Sequence, residues 1–458
     1  MKPTYEELKA KVQRLEELLK QALEKIAQLE EQLKRNSKNS SKPPSTDQKG
    51  NTPEADKKPP RNSRVGKARP SFPSDKIDKH VQCKQENCPH CGSSKIQLNG
   101  HSPEILQQAE LPEIRAIITE FQLQKYRCNE CGKNSTASLP LGIPDSAFGP
   151  KLMGLLATLT GVVHVAKREA IQLIKDLYDV DMGIGSVPNV EERVATALDP
   201  VYDRIHKFVL QHKFCTHFDE TGWRDRGKRH FVWLATCQQA AVYRIDRNRS
   251  AAAFKRLIGQ ETWTAPAVTD RYAVYNSFKT HQFCLAHLIR EFKGYGEREG
   301  SDKAIGLAIE NELRLSCKIH REYREGKIPL IQRNRRLGAR KRRLEYWFED
   351  GLANGSDALA KICGTLLENF EKIWTFTRIL GMEPTNNMAE RDLRKLVIWR
   401  RKSYGTRSDR GKKFVERITT VAQTIRKQSR NVLHFIQEAI GCFYSRILPP
   451  LISEAMGF

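Results

Sequence analysis

Apolar residues recur over 5–34 at Leu8, Val12, Leu15, Leu19, Ala22, Ile26, Leu29 and Leu33, at alternating intervals of 4 and 3. Such spacing averages 3.5 residues, the period of a supercoiled helix, whereas a lone amphipathic helix repeats at about 3.6. Val12, Leu19, Ile26 and Leu33 fall at the a positions and Leu8, Leu15, Ala22 and Leu29 at d. That seam predicts a coiled coil over 1–35 and self-association into a homodimer or higher oligomer. The pattern stops at Asn36. From there to His80, seven prolines and seven serines lie among eleven Lys/Arg and five Asp/Glu. A segment of this kind buries too little apolar surface to offset its ordering entropy, so 36–80 is expected to be a disordered basic linker.

Regular patterning returns downstream. Alternation from Ile114 to Tyr126 predicts strands within a module spanning 81–140. Helical periodicity covers Lys151 to Val163 and Lys167 to Tyr178, and a Gly183-Ile-Gly185 turn leads to Ser186 as the N-cap of a helix reaching Leu198. The region 141–205 therefore reads as helical, either a helix-turn-helix that binds DNA or a plain helical connector. Three short β runs follow, His217 to Arg224, His230 to Cys237 and Ala241 to Asp246. Ser250 then caps a helix, Ala265 to Thr269 and Gln282 to Cys284 form two more strands, and a helix starts at Leu285. Residues 300–380 read as polar helices, Asn387 to about Arg401 as another helix, and Lys412 to Gly441 as one long helix. Three antiparallel strands followed by βα units predict a mixed sheet with helices on its faces over 206–430, with a helical tail over 431–458.

Charge narrows the class of partner. The 458 residues carry 78 Lys/Arg against 54 Asp/Glu, a net charge of +24, and a pI of about 9.6 makes a polyanion the expected ligand. The longest apolar stretch, Leu152 to Ala166, is flanked by lysines and interrupted by Thr158, Thr160 and His164, well short of the roughly 20 residues that span a bilayer. With no apolar leader at the N-terminus, and eleven cysteines that read as reduced thiols, the expectation is a cytoplasmic protein without membrane partners. Ile331 to Glu345 holds seven basic residues against one acid, and Asn387 to Arg430 fourteen against four. Neutralising phosphates with such residues gives salt-sensitive binding of double-stranded DNA, for which Arg391, Arg394, Lys395, Arg400, Arg401, Lys402 and Arg407 are the candidates.

Two groups of residues carry recognisable chemistry. Cys88-Pro-His-Cys91 and Cys128-Asn-Glu-Cys131 each offer two thiolates at a spacing that can share one ion. Together they would close a tetrahedral structural Zn²⁺ site, the alternative being two unrelated cysteine pairs. The second group is acidic. Asp219 stands in an alternating strand, Asp270 ends a short apolar strand, and Glu390 lies on a strongly basic helix. Phosphoryl transfer with two metal ions needs several carboxylates converging on Mg²⁺ or Mn²⁺. Glu220 should point to the opposite face of its strand from Asp219, because side chains alternate. Cys284 and His287 offer two further ligands, too few by themselves to close a zinc site.

These motifs, taken in order, resemble the transposases of the insertion sequence 66 family. The resemblance rests on the heptad N-terminus, the stretch Asn36-Ser-Lys-Asn-Ser-Ser-Lys-Pro-Pro-Ser45, and the paired Cys-x₂-Cys. It continues through Asp219-Glu-Thr221, Asp270-Arg-Tyr-Ala-Val-Tyr275, Cys284-Leu-Ala-His287 with Arg290, and Asn386-Asn-Met-Ala-Glu-Arg-Asp-Leu-Arg394. It implies a ribonuclease-H-like core with the catalytic set Asp219, Asp270 and Glu390, supported by Cys284, His287 and Arg290, and with a helical insertion at about 298–380. It further implies metal-dependent cleavage and strand transfer at element ends, acting on terminal repeats and target DNA, with accessory proteins of the same element as further partners. A non-catalytic DNA-binding regulator, or a decayed transposase, is the competing expectation.

Overall fold

The structure is a computed structural model that describes residues 5, 9, 11–19, 22, 25–26, 71–97, 101–211, 215–448 and 450. The chain divides into two units, one of residues 52–116 and one combining 1–51 with 117–458. Of the heptad segment, 11–19 and the described positions around it are helical, and Val12, Leu15, Leu19 and Ile26 are all exposed on the single chain. Leu8, Leu29 and Leu33 of the same seam, and positions 36–70 of the expected linker, lie outside the described residues.

The smaller unit has little regular structure among its described residues, a single 3₁₀ turn at Ser74–Lys76. A paired contact joins its two ends: the Phe72 amide donates to Gln107 Oε1 (2.5 Å) and Gln107 Nε2 donates to the Phe72 carbonyl (3.1 Å). The strands expected over Ile114 to Tyr126 are largely absent. Only β1 (Lys125–Arg127) forms, paired antiparallel with β2 (Asn134–Thr136). Ile117 and Ile118 are 93% and 83% exposed. Alternation marks a segment that could pair, but without a neighbouring strand there is no ladder and no covered face.

In the larger unit, α1 (Pro150–Thr158) runs on into a π turn (Leu159–Val163), followed by α2 (Lys167–Tyr178), α3 (Ser186–Ala197) and α4 (Asp199–Gln211). Ser186 is the first helical residue rather than the cap, which is Gly185. A five-stranded sheet comes next, built from β3 (Thr216–Asp225), β4 (Lys228–Thr236), β5 (Ala241–Asp246), β6 (Ala267–Thr269) and β7 (His281–Phe283). Its order is β5-β4-β3-β6-β7, with the first three strands antiparallel and β6 and β7 parallel to β3. One face packs through Phe218, Trp233, Trp263, Tyr275 and Phe278 onto Phe254 of α5 (Ala251–Ile258), whose N-terminus is capped by Ser250 Oγ as expected. Against the other face lies α10 (Asn387–Ser403), where the Tyr243 hydroxyl donates to the Asp392 carbonyl. The long helix expected over Lys412 to Gly441 is two, α11 (Asp409–Lys427) and α12 (Val432–Tyr444). They are broken where Ser429 takes a left-handed conformation (φ 55°), which an α-helix cannot continue through.

Both edges of the sheet are covered. On β5 the outward amides of Ala241, Tyr243 and Ile245 donate to Thr424 Oγ1, Thr420 Oγ1 and Glu416 Oε1 at 2.7–3.1 Å. Those three side chains are spaced four apart on α11, so one helical stripe meets every second amide of the strand. At the far edge, the Thr375 hydroxyl donates to the His281 carbonyl of β7 (2.7 Å), and the Gln282 side chain of β7 donates from Nε2 to the Ile373 carbonyl (3.0 Å) and accepts at Oε1 from the Phe376 amide (2.8 Å). The latter residues end a helical excursion that leaves β7 through α6 (Leu285–Gly296) and comprises α7 (Ser301–Arg324), α8 (Leu330–Asn354) and α9 (Asp357–Glu368). Its core, with Phe292, Leu313, Leu344, Phe348 and Leu366, is continuous with Val268 and Phe283 of the sheet.

A tight crossing ties α10 back to β3. The Thr406 amide donates to the Arg224 carbonyl (2.9 Å) and the Arg226 amide to the Thr406 carbonyl (2.8 Å). Gly405 precedes this contact at φ +99°, and a Cβ there would lie 2.0 Å from the Arg224 carbonyl oxygen. Gly405→Ala is expected to destabilise the fold by about 3 kcal/mol or more, since strain and overlap add. Denaturant unfolding measures this, and a loss within about 0.5 kcal/mol, the scale of an ordinary surface change, would rule it out.

Candidate active site

The register of β3 on β6 pairs His217 with Val268; carried two residues further it sets Asp219 beside Asp270, just past the end of β6. Glu390 occupies the first turn of α10, on the same face of the sheet as Asp219. The proximity has an electrostatic signature. Burial, and then the charges of Glu220, Asp270 and Glu390, push the Asp219 carboxyl well above the usual carboxylate range. Asp219 Oδ1 accepts from the Glu220 amide (2.9 Å) and Asp270 Oδ1 from the Tyr272 amide (3.0 Å). Among the described residues neither aspartate has a cationic partner, and Arg271 pairs with Glu291 instead. Two carboxylates set side by side without cationic partners offer the oxygen donors a hard divalent cation takes, so Asp219 and Asp270 fit that group; among the described residues, the three potential ligands whose atoms lie within 4.8 Å of one another are Cys284, His287 and Glu390 rather than the three acids.

The neighbouring acids are held differently. Glu220 Oε1 accepts from Arg249 Nε (2.8 Å) and Nη2 (2.5 Å), and its Oε2 accepts from the Tyr275 hydroxyl (2.5 Å). Tyr275 belongs to the aromatic cluster on the α5 face, so Glu220 points away from Asp219, as strand alternation requires. Glu390 Oε1 accepts from Arg290 Nη2 (3.0 Å) and lies 3.6 Å from His287 Nδ1. Arg290 and His287 share α6, whose N-cap is Cys284. The ligand atoms of Cys284, His287 and Glu390 all lie within 4.8 Å of one another. Burial pushes the Cys284 thiol up to about 12, while burial and then the Arg290 charge hold the His287 ring below its ordinary pKa.

Asn386, fully buried, joins these parts and was not singled out by sequence reasoning. Its Oδ1 lies 3.0 Å from His217 Nδ1, its Nδ2 donates to the Phe218 carbonyl (2.7 Å), and its amide donates to Cys284 Sγ (3.1 Å). One residue thus links β3 through its side chain and the N-terminus of α6 through its backbone amide, at the start of α10. In the sequence it stood only as the first residue of the motif Asn386 to Arg394, with no role of its own.

The basic candidates separate into two groups. Arg391, Arg394, Arg401, Lys402 and Arg407 are exposed, with Arg394 and Arg401 following Glu390 along one stripe of α10 at i+4 and i+11. Arg400 instead donates from Nη1 to the Gly222 carbonyl of β3. Lys395 is half-buried, and burial followed by the Arg426 charge lowers its pKa. The two knuckles have the same local build. Gly92 and Gly132, both at positive φ, donate their amides to the Cys88 and Cys128 carbonyls (2.8 and 3.0 Å). Backbone amides also stabilise the thiolates and lower their pKa values, those of His90 and Cys91 for Cys88, and those of Cys131 and Glu130 for Cys128. Amide-stabilised thiolates suit Zn²⁺.

Comparison with known proteins bears on the whole arrangement. The family described as "Transposase IS66 family" matches residues 145–414, more than half of the chain and a span holding all three acids. The chain belongs to the IS66 transposase family. A second family, "zinc-finger binding domain of transposase IS66", matches residues 85–132 and brackets both knuckles. Residues 1–73 match a family of unknown function, DUF6444. Among individual proteins, the chain is similar to the "Insertion element ISM1 uncharacterized 48.3 kDa protein" of Methanobrevibacter smithii, 24% identical over 237 residues. The match covers 47% of this chain and 54% of that protein, so the chain spans about half the length of the curated relative it matches. No described helix is long and apolar enough to cross a membrane.

Proposed function

We propose that this member of the IS66 family is a DDE transposase that cleaves DNA at the ends of an insertion sequence and joins the freed ends to target DNA. The observation that carries the reading is the pairing of Asp219 with Asp270, both without cationic partners, on the sheet face that also receives Glu390. The strand order, with the first acid on the central strand and the second at the end of its parallel neighbour, supports a ribonuclease-H-like core, and the α7–α9 excursion supports an insertion within it.

Asp219, Asp270 and Glu390 would hold the divalent metal, Mg²⁺ or Mn²⁺. When bound, the metal supplies Lewis-acid stabilisation of the charge developing on the phosphate and lowers the pKa of the attacking water or 3′-hydroxyl. The remaining work falls to the chain. Arg290 fixes the orientation of Glu390, Asn386 sets the height of α10 against β3, and Arg394 and Arg401 extend a line of positive charge from Glu390 for the phosphate backbone. The exposed Val12, Leu15, Leu19 and Ile26 support pairing of two copies through the N-terminal helix, which would hold two DNA ends together. The direct test is cleavage and joining of labelled element ends by purified protein with Mg²⁺ present or chelated. Binding without either reaction would instead favour a DNA-binding regulator.

For the knuckles we infer a single structural Zn²⁺ held by Cys88, Cys91, Cys128 and Cys131. Cys128→Ser is expected to lower zinc content by one equivalent per chain and to weaken binding to element ends. Unchanged zinc by elemental analysis would dismiss the shared site.

A further inference from the structure

Cys284, His287 and Glu390 converge on one point from two directions. Cys284 and His287 stand three residues apart across the N-terminus of α6, and Glu390 reaches them from the first turn of α10. Their sulfur, nitrogen and oxygen atoms lie within 4.8 Å of one another. His287 Nδ1 is buried and, among the described residues, has no hydrogen-bond partner, although a buried ring nitrogen is ordinarily satisfied. Glu390 Oε1 faces it at 3.6 Å, beyond hydrogen-bond reach. Arg290 and His287 both face Oε1 of Glu390, and among the described residues its Oε2 accepts no hydrogen bond. Cys284 Sγ accepts from the Asn386 backbone amide (3.1 Å), a bond that a metal-bound sulfur can keep.

We propose that Cys284, His287 and Glu390 form a second metal site, one for a soft or borderline divalent cation such as Zn²⁺, with its fourth position open. Sulfur and imidazole select against Mg²⁺, which takes oxygen ligands, so this site and the carboxylate set of Asp219 and Asp270 differ in the metal they prefer. Three protein ligands with one vacant position make an open site rather than a closed structural one. Glu390 is common to both sets. Occupancy by Zn²⁺ would therefore draw Glu390 towards α6 and away from the aspartates, so that the cell's zinc level acts on the geometry of the other site. The metal site does not rest on the transposase reading, because binding is measured whether or not strands are cleaved.

The test is zinc and cobalt binding by the full chain. Wild-type protein equilibrated with Zn²⁺ is expected to hold one equivalent more than His287→Ala, with the knuckle zinc retained in both. Removing this direct ligand should weaken the second site by more than about a hundredfold, beyond the roughly 10–100-fold cost of losing an outer-shell partner. Titration with Co²⁺ of protein whose knuckles already hold Zn²⁺ should produce a sulfur-to-cobalt charge-transfer band that Cys284→Ser abolishes. Glu390→Gln guards against misfolding of the buried variants, because it removes one ligand from a half-buried position and should likewise weaken the second equivalent. A wild-type chain that binds no zinc beyond the knuckles would overturn the proposal. So would a second equivalent that survives both His287→Ala and Cys284→Ser.

Discussion

Asp219→Asn is expected to reduce strand cleavage and joining by roughly 10,000-fold, the scale on which removing one member of a catalytic constellation acts. Affinity for element ends should be unchanged or slightly higher, because the substitution deletes a negative charge near the expected DNA path. Stability should not fall. In the native protein Asp219 is half-buried, has no cationic partner among the described residues, and lies near the charges of Glu220, Asp270 and Glu390; burial first, and then those charges, raise its pKa. A raised carboxylate pKa means that the charged form costs folding free energy at neutral pH, a cost that asparagine removes. Activity lost, binding kept and melting temperature kept form a combination that a structural role for Asp219 would not give. Parallel loss of binding and activity would sink the assignment.

Asp392→Ala is expected to be the most damaging single change to the fold. Two residues beyond Glu390 on α10, Asp392 is 5% exposed and accepts four bonds. Its Oδ2 receives Thr236 Oγ1 (2.7 Å) and Lys427 Nζ (2.9 Å), its Oδ1 receives Gln423 Nε2 (2.7 Å), and its carbonyl receives the Tyr243 hydroxyl (3.0 Å). Alanine keeps the last and loses the other three. Lys427, itself nearly buried, would retain only the Cys237 carbonyl (2.9 Å). Breaking a buried pair by removing one partner costs about 3–5 kcal/mol, because an uncompensated charge is left behind. Asp392→Asn, which keeps the volume and one acceptor, should cost less. Chemical unfolding of the two variants measures both, and an alanine variant within about 1 kcal/mol of wild type would contradict the account.

Much of this was legible along the chain, and the exceptions share a cause. The strands from Thr216 to Asp246 and the helices from Lys167 to Tyr178 and from Leu285 announce themselves because local periodicity and local burial coincide there. The segment from Ile114 to Phe121 alternates equally well yet has no strand to pair with, and a partner is not a local property. The break at Ser429 was missed because serine is not a residue that normally marks a left-handed turn. At the site, the three acids were legible as types at the ends of apolar elements. Asn386 was not, because its importance lies in bonds to residues 168 and 169 positions away. Arg400 looked like its basic neighbours until the fold set it against Gly222.

The covered sheet edges have a consequence for assembly. A five-stranded sheet with bare margins invites the margin of another copy, and proteins that gather on DNA at high local concentration are exposed to that risk. Here the stripe of Thr424, Thr420 and Glu416 occupies one margin and the end of the helical excursion the other. Neither leaves a ladder for a neighbour to extend. Copies of this chain can therefore crowd together without their cores zippering into a common sheet. Joining them is left to surfaces that can also let go.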